Sequence, residues 1–355
     1  MPYNYHTMQD EFKNILIIKP SSLGDIVQAL PALSALRRSF PDAEISWLVR
    51  PEFAPLLDNH PDLTRIIPFD RRYLAKMWYH SGALIAFLGL CRRLRRSKFD
   101  AVFDFQGLFR TAFLARVSGC CNRFGMANAR EFAALLYTHK VSQPPDCIHV
   151  VDCYLRVVQA AGVCDLDVEF TLASDPAADD TVAALLADHD VNANNYAVLV
   201  PGSTHPDKCW PVERFAALAD KLAHKHSLSI VATGTESEGQ LVRSLAESAD
   251  VPVANFAGRT SLTELIALMA SARLVVSNDT GPGYVAAALG TPIVMIFGRT
   301  NPARLGPYGR KNVVAGIDIF ARGREVDSQD PKYAIKNVTL DLVYQKVLAQ
   351  LESHT

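Results

Sequence analysis

The stretch 14-NILIIKPSSLGDIVQALPALSALRR-38 decides the fold. Asn14–Ile18 is an apolar, β-branched run and reads as a buried strand. Lys19-Pro20-Ser21-Ser22 breaks it. Gly24-Asp25 then opens an amphipathic helix whose apolar positions recur at helical spacing through Leu36. A strand, a turn and a helix in this order form the unit from which parallel α/β sheets are built. Ligands of such sheets sit outside the carboxyl ends of the strands, where Lys19, Ser21, Ser22, Gly24 and Asp25 fall. Asp25 has two readings there. It is either a first-turn acid favoured by the helix macrodipole or a general base facing a cleft.

Working outward, the same alternation repeats along 355 residues. Glu44–Val49, Thr64–Pro68, Ala101–Phe105 and Asn122–Gly125 read as strands. Tyr73–Arg96, Ala129–Tyr137 and His149–Ala161 read as helical. The polar run Asp175–Asp180 marks a boundary. Beyond it strands are expected at Tyr196–Val200, Leu228–Ala232, Val253–Phe256, Leu274–Ser277 and Ile293–Phe297. Helices are expected at Pro211–His224, Glu238–Glu247, Leu262–Ala270 and Tyr284–Leu289, with a last one at Leu340–Leu351. The expectation is an α/β chain of two doubly wound, Rossmann-like domains facing one cleft, 1–175 and 176–335. A terminal helical segment, 336–355, is expected to pack back toward the first domain.

The composition is that of an ordinary soluble globular chain, 49% hydrophobic and 21% charged. A formal net charge of −1 hides an asymmetry. Between Arg71 and Arg130 stand twelve Lys/Arg against two acids, Asp100 and Asp104. A basic face of this kind suits an anionic partner, or else is a solvated arginine-rich helix. Arg92-Arg93-Leu94-Arg95-Arg96 follows the apolar run Gly82–Cys91, which is too short to span a bilayer. Together they form a basic amphipathic helix that either lies on an anionic membrane or packs on the sheet. Seven cysteines without C-x-x-C spacing, and a polar start without a signal-like apolar run, fit a reducing cytosol.

Two further turns carry candidate chemistry. In 277-SNDTGPGYVAAALGTP-292, Gly281 and Gly283 allow close approach of backbone. The helix start offers unpaired N–H groups to an anion, and Thr280 offers a hydroxyl. The stretch is neither a G-x-G-x-x-G nor a P-loop. In 202-GSTHPDKCWP-211, Ser203, Thr204 and Lys208 are donors at a strand's carboxyl end, and Lys208 is a point charge suited to a pyrophosphate. Glu236, after the next strand, either accepts from a ribose hydroxyl or is a plain first-turn acid.

Taken together, KPSSLGDIVQALPAL, DFQGLFRTA, GMANARE, DKCWP and NDTGPGYVAAALG resemble glycosyltransferase family 9, the lipopolysaccharide heptosyltransferases, in order from Ile15 to Gly309. The resemblance implies a GT-B fold, an ADP-heptose donor on the second domain and a 3-deoxy-octulosonic acid (Kdo) residue on lipid A as acceptor on the first. It puts the base on Asp25. The donor phosphates fall to Lys208 and Thr204 and to the turn Asp279-Thr280-Gly281. Acceptor-side cations fall at Lys19, Arg110 and Arg130, and further at Arg71, Arg72 and His149. The family usually has a histidine five residues after the turn's aspartate, where this chain has Tyr284. Tyrosine can donate to a phosphate oxygen but carries no positive charge near neutral pH.

The resulting expectation is inverting transfer by single displacement, with no metal and no bound cofactor. The D-x-D at Asp165-Leu166-Asp167 reads as a helix-to-strand connection. The partners expected are the nucleotide sugar, the anionic acceptor and the cytoplasmic face of the inner membrane, with no nucleic acid. Alternatives are another nucleotide sugar or acceptor within the family, a nucleotide-sugar epimerase, and a non-catalytic sugar- or lipid-binding relative.

Overall fold

The computed structural model describes residues 12–193 and 195–353. It divides into two compact units that meet at Ala173 and Ser174. The first unit contains β1 (Asn14–Ile18), α1 (Leu23–Val27), α2 (Leu30–Ser39), β2 (Glu44–Val49), β3 (Arg65–Pro68), α3 (Arg71–Leu74), α4 (Ser81–Arg96), β4 (Ala101–Asp104), α5 (Phe109–Val117), β5 (Asn122–Met126), β6 (His139–Val141) and α6 (Val150–Gln159). Its six strands are all parallel, in the order β3-β2-β1-β4-β5-β6. Ile15, Leu16, Ile17 and Ile18 of β1 are fully buried, as expected of a central strand covered on both faces.

The second unit contains α7 (Pro176–Ala187), β7 (Tyr196–Val200), α8 (Val212–His226), β8 (Ser229–Ala232), α9 (Gly239–Ser248), β9 (Val253–Asn255), α10 (Leu262–Ala270), β10 (Leu274–Asn278), α11 (Gly281–Ala288), β11 (Ile293–Ile296), α12 (Pro302–Leu305), β12 (Val314–Ala315) and α13 (Leu340–Glu352). Its strand order, β12-β11-β10-β7-β8-β9, is the same winding with the same parallel sense. Each sheet therefore reverses direction once, between β1 and β4 in the first and between β7 and β10 in the second. These switch points are where doubly wound sheets open a crevice for ligands.

Several elements differ from the sequence reading. The first helix is two, because Pro31 has no N–H to continue the ladder from α1. Residues 129–137 form only a 3₁₀ turn at Ala133–Leu136, since Glu131 and Phe132 adopt left-handed backbone that a helix cannot contain. The short strands β6 and β12 were not anticipated. The polar run at 175–180, read as a boundary, opens a helix, with the Asp175 carboxylate accepting from Ala177 N at 3.1 Å and Pro176 in the first turn. The terminal helix α13 was expected to return toward the first domain. In the structure its Val343, Val347 and Leu351 join the core of the second unit with Trp210, Phe215 and Ile296.

Candidate functional site

In the first unit, β1 ends by delivering Lys19 into the protein, 3% exposed. Lys19 Nζ stands 3.6 Å from Asp25 Oδ1 and 5.6 Å from the centre of the Tyr154 ring. Asp25 Oδ2 accepts from Ser22 N at 2.9 Å and Ser22 Oγ at 2.7 Å. One oxygen of Asp25 closes a capping box at the start of α1, and the other faces a buried cation. Its side chain stays 37% exposed, open to an incoming group. Burial opposes ionisation of Asp25, but Lys19 and the two Ser22 hydrogen bonds outweigh it, and the carboxyl is held below the usual range. Burial likewise opposes the charge on Lys19, yet Asp25, Tyr154 and Asp104 prevail and its pKa is raised.

Asp104 ends β4, directly across the switch point from Ile18. It is buried and accepts from Gln106 N at 2.9 Å, Gly107 N at 3.2 Å and Tyr137 Oη at 2.7 Å. Burial pushes its carboxyl up in spite of these donors. Gln106 Oε1, beside it, is buried without a hydrogen-bond partner among the described residues. Tyr154, Asp104, Tyr137 and Gln106 were all absent from the sequence-derived set. Only Asp104 and Gln106 lay in a motif singled out there; Tyr137, just before β6, and Tyr154, within α6, carry no local signal.

The acceptor-side cations separate into groups. Arg71, Arg110 and Arg130 are electrostatic neighbours. Burial first and then Arg71 lower the pKa of Arg110, with a lesser push from Arg130 and an opposing pull from Glu131. Guanidinium groups stay protonated even so, which leaves this cluster suited to an anion. Arg130 N donates to Gly107 O at 3.0 Å, tying its loop to the end of β4. Arg72 is exposed on α3. His149 is the N-cap of α6, its Nδ1 accepting from Val151 N at 3.2 Å, and so carries a structural duty as well.

In the second unit, the loops after β7 and β10 are stitched together. Asn278 Nδ2 donates to Pro201 O at 2.7 Å, and Asn278 Oδ1 accepts from Trp210 N at 3.1 Å. Ser203 Oγ donates to Asp279 O at 3.3 Å. Lys208, in the 3₁₀ turn Pro206–Lys208, donates to Asp279 Oδ2 at 2.7 Å. Tyr284 Oη donates to Asp279 Oδ1 at 2.7 Å. Asp279 is 8% exposed, so it is a buried hub that aims Lys208 and is itself aimed by Tyr284. Thr280 caps α11 without a side-chain cap bond; Pro282 has no N–H and Gly283 N donates to Thr280 O at 3.1 Å, which leaves the Gly281 N–H to a ligand. Gly283 has another purpose than the expected one. A Cβ there would stand 2.8 Å from Met295 Cε and 2.9 Å from Ser277 Oγ, so this glycine lets α11 pack on β10 and β11.

Thr204 and Glu236 are exposed on the same edge. Sequence reasoning missed Glu238. Its Oε2 accepts from Thr235 N at 2.7 Å and Thr235 Oγ1 at 2.9 Å. A Cβ on Gly202 would collide with Glu238 Oε1, so Gly202 exists to admit this carboxylate.

The family model "Glycosyltransferase family 9 (heptosyltransferase)" matches residues 87–334. Lipopolysaccharide heptosyltransferase 1 of Pseudomonas aeruginosa is 31% identical over 314 residues, 86% of this chain and 84% of that protein. Among solved structures, the E. coli heptosyltransferase WaaC with ADP-2-deoxy-2-fluoro heptose is similar at 26% identity and a TM-score of 0.74, covering 95% of this chain and 99% of that one. A glycosyl transferase family 9 structure from Veillonella parvula superposes with a TM-score of 0.82 at 21% identity, covering 99% and 100%, and supports the fold alone.

Proposed function

The chain belongs to glycosyltransferase family 9, the heptosyltransferases of the lipopolysaccharide core, and we propose that it moves a heptose from ADP-heptose to a Kdo residue anchored on lipid A. The GT-B plan of two equally wound Rossmann-like units supports this reading. The observation that carries it is the presence of unlike sites: a carboxylate held ionised at the first switch point, and an aimed ammonium with the Gly281 N–H at the start of α11 at the second.

The acceptor hydroxyl attacks the anomeric carbon and its proton passes to Asp25. The bond from that carbon to the diphosphate oxygen breaks, and ADP leaves from the opposite face, so the configuration inverts. Asp25 is well placed as an acceptor because Lys19 and Ser22 keep it ionised and it remains partly open. Of the three donors on Lys208, one goes to Asp279 and two are left for phosphate oxygens. Lys208, Thr280 and the start of α11 offset the charge that develops on the leaving group, and the reaction needs no divalent metal. Ser203, Thr204 and Glu236 complete the donor side. Lys19, Arg71, Arg72, Arg110, Arg130 and His149 form the acceptor side, where arginines meet carboxylate or phosphate bidentately.

The acceptor is an anionic amphiphile, and the protein works on it from the cytoplasmic face of the inner membrane as a peripheral protein. Among the described residues no helix is long and apolar enough to cross a bilayer. The test is mass spectrometry of a Kdo–lipid A acceptor incubated with ADP-heptose. Addition of one heptose is the expected result, and an unmodified acceptor under conditions where ADP binds would overturn the reading.

A further inference from the structure

Helix α4 turns one apolar stripe inward and leaves a second outside. Ala83, Leu90 and Leu94 are buried, with Leu90 and Leu94 in the core of the first sheet. Leu84, Ile85 and Leu88 lie on the other side of the same helix, exposed to solvent. Just before it, Trp78 and Tyr79 are 85% and 79% exposed. An exposed tryptophan and tyrosine just ahead of three exposed aliphatic residues concentrate apolar surface of the kind that marks an interaction site.

The second half of α4 changes character. Arg92, Arg93 and Arg96 line a shallow basin of about 420 Å³ with Arg65, Gly89 and Ser97. Among the described residues, Arg92, Arg93 and Arg96 have no carboxylate within salt-bridge distance, and Arg65 has Glu44 at 3.4 Å. The basin therefore keeps a surplus of positive charge. Its arginines follow Ile85 and Gly89 along the helix at i, i+4, i+7 and i+11 spacing, so apolar and basic halves share one exposed strip.

We propose that this strip is a bilayer-docking surface with two working parts. Trp78, Tyr79, Leu84, Ile85 and Leu88 enter the headgroup–acyl boundary, and the basin of Arg65, Arg92, Arg93 and Arg96 holds an anionic lipid headgroup. The charge complementarity commits the surface to an anionic membrane. A nucleic acid would satisfy the arginines but leave the apolar half uncovered. A second copy of the chain would bring the same cations against each other. Tryptophan and tyrosine are the side chains that favour the membrane–water boundary. The proposal rests on the reading that the protein works at a membrane, but not on its sugar chemistry, and it adds an apolar anchor to what charge alone supplies.

The chain carries its own probe. Of its three tryptophans, Trp47 and Trp210 are 0% and 1% exposed, so Trp78 is the one that a vesicle can reach. The full-length protein is titrated with vesicles of phosphatidylethanolamine and phosphatidylglycerol, and separately with phosphatidylcholine vesicles, with no acceptor present. Tryptophan emission should move to the blue and become shielded from acrylamide on the anionic vesicles only, and Trp78→Phe should abolish the shift.

In co-sedimentation, reversing Arg92, Arg93 and Arg96 to Glu should lower partition at least about tenfold at low salt. Replacing Leu84, Ile85 and Leu88 by Ser should remove the fraction that stays bound when salt screens the charges. Circular dichroism and turnover of a delipidated, water-soluble acceptor establish that this serine variant is folded. Vesicle binding with an unchanged Trp78 spectrum would overturn the apolar half. Equal sedimentation of wild type and the charge-reversed variant would overturn the basic half. A change from dimer to monomer in the serine variant, without loss of vesicle binding, would assign the surface to a second copy and overturn the whole. Failure of heptose transfer with these vesicle results intact would count against the proposed reaction and leave the docking surface standing.

Discussion

Tyr284→Phe separates a hub from a direct contact. In the structure the Tyr284 hydroxyl donates to Asp279, whose other oxygen holds Lys208. The substitution keeps the ring and removes one hydrogen bond to a buried carboxylate. A hydrogen bond to a charged group contributes roughly 1.5–3 kcal/mol. Only the share that aims Lys208 appears in ligand binding, so ADP affinity should fall about three- to thirtyfold, with every ~1.4 kcal/mol counting as tenfold. Adenosine, which lacks phosphates, should bind as before.

Calorimetry with ADP and adenosine measures both, and a double-mutant cycle with Lys208→Met supplies the decisive term. Because Tyr284 acts through Asp279 on Lys208, its effect should largely vanish once Lys208 is gone. Additive losses would refute the relay and put the tyrosine hydroxyl on the ligand itself. Equal losses for ADP and adenosine would show that the turn had collapsed.

Three other outcomes follow from the same geometry. Lys19→Met removes the charge that most strongly holds Asp25 below the usual carboxylate range, so the acidic limb of the kcat/KM profile should move toward neutral pH; an unmoved limb would detach Asp25 from that limb. The sign is fixed because a base works only above its pKa, and a partner cation lowers that pKa. Arg110→Ala should raise KM for a delipidated acceptor while leaving ADP affinity unchanged, which steady-state kinetics and calorimetry check together. Activity should survive EDTA; complete loss that Mg²⁺ or Mn²⁺ restores would contradict the charge-offset role given to Lys208 and α11.

Much of this was legible before any coordinates. β1, the turn after it and Asp25 announce themselves because apolar runs and helix starts are local signals. The same holds for Lys208 and the Asp279-Thr280-Gly281 turn. What stayed hidden depends on tertiary neighbours. Tyr154 reaches Lys19 from a helix far along the chain, and Tyr137 reaches Asp104 across 33 residues. No local pattern marks either tyrosine, since each looks like an ordinary core aromatic. Tyr284 was legible as a substitution in a motif, but its hydrogen bond to Asp279 was not. The break at Pro31 was readable from the missing N–H and was passed over in favour of the continuous apolar period. The outward stripe of α4 was masked in the same way, because a periodic apolar pattern does not say which of two faces is buried.

The most direct test of the central claim is single-turnover heptose transfer by Asp25→Asn. Wild type and variant are each mixed with ADP-heptose and a Kdo–lipid A acceptor, and the product is followed by mass spectrometry. ADP affinity is measured in parallel. The account predicts a rate lower by about 10²–10⁴, the usual cost of losing a general base, with ADP affinity unchanged. A variant that forms the heptosylated product at more than half the wild-type rate would contradict it.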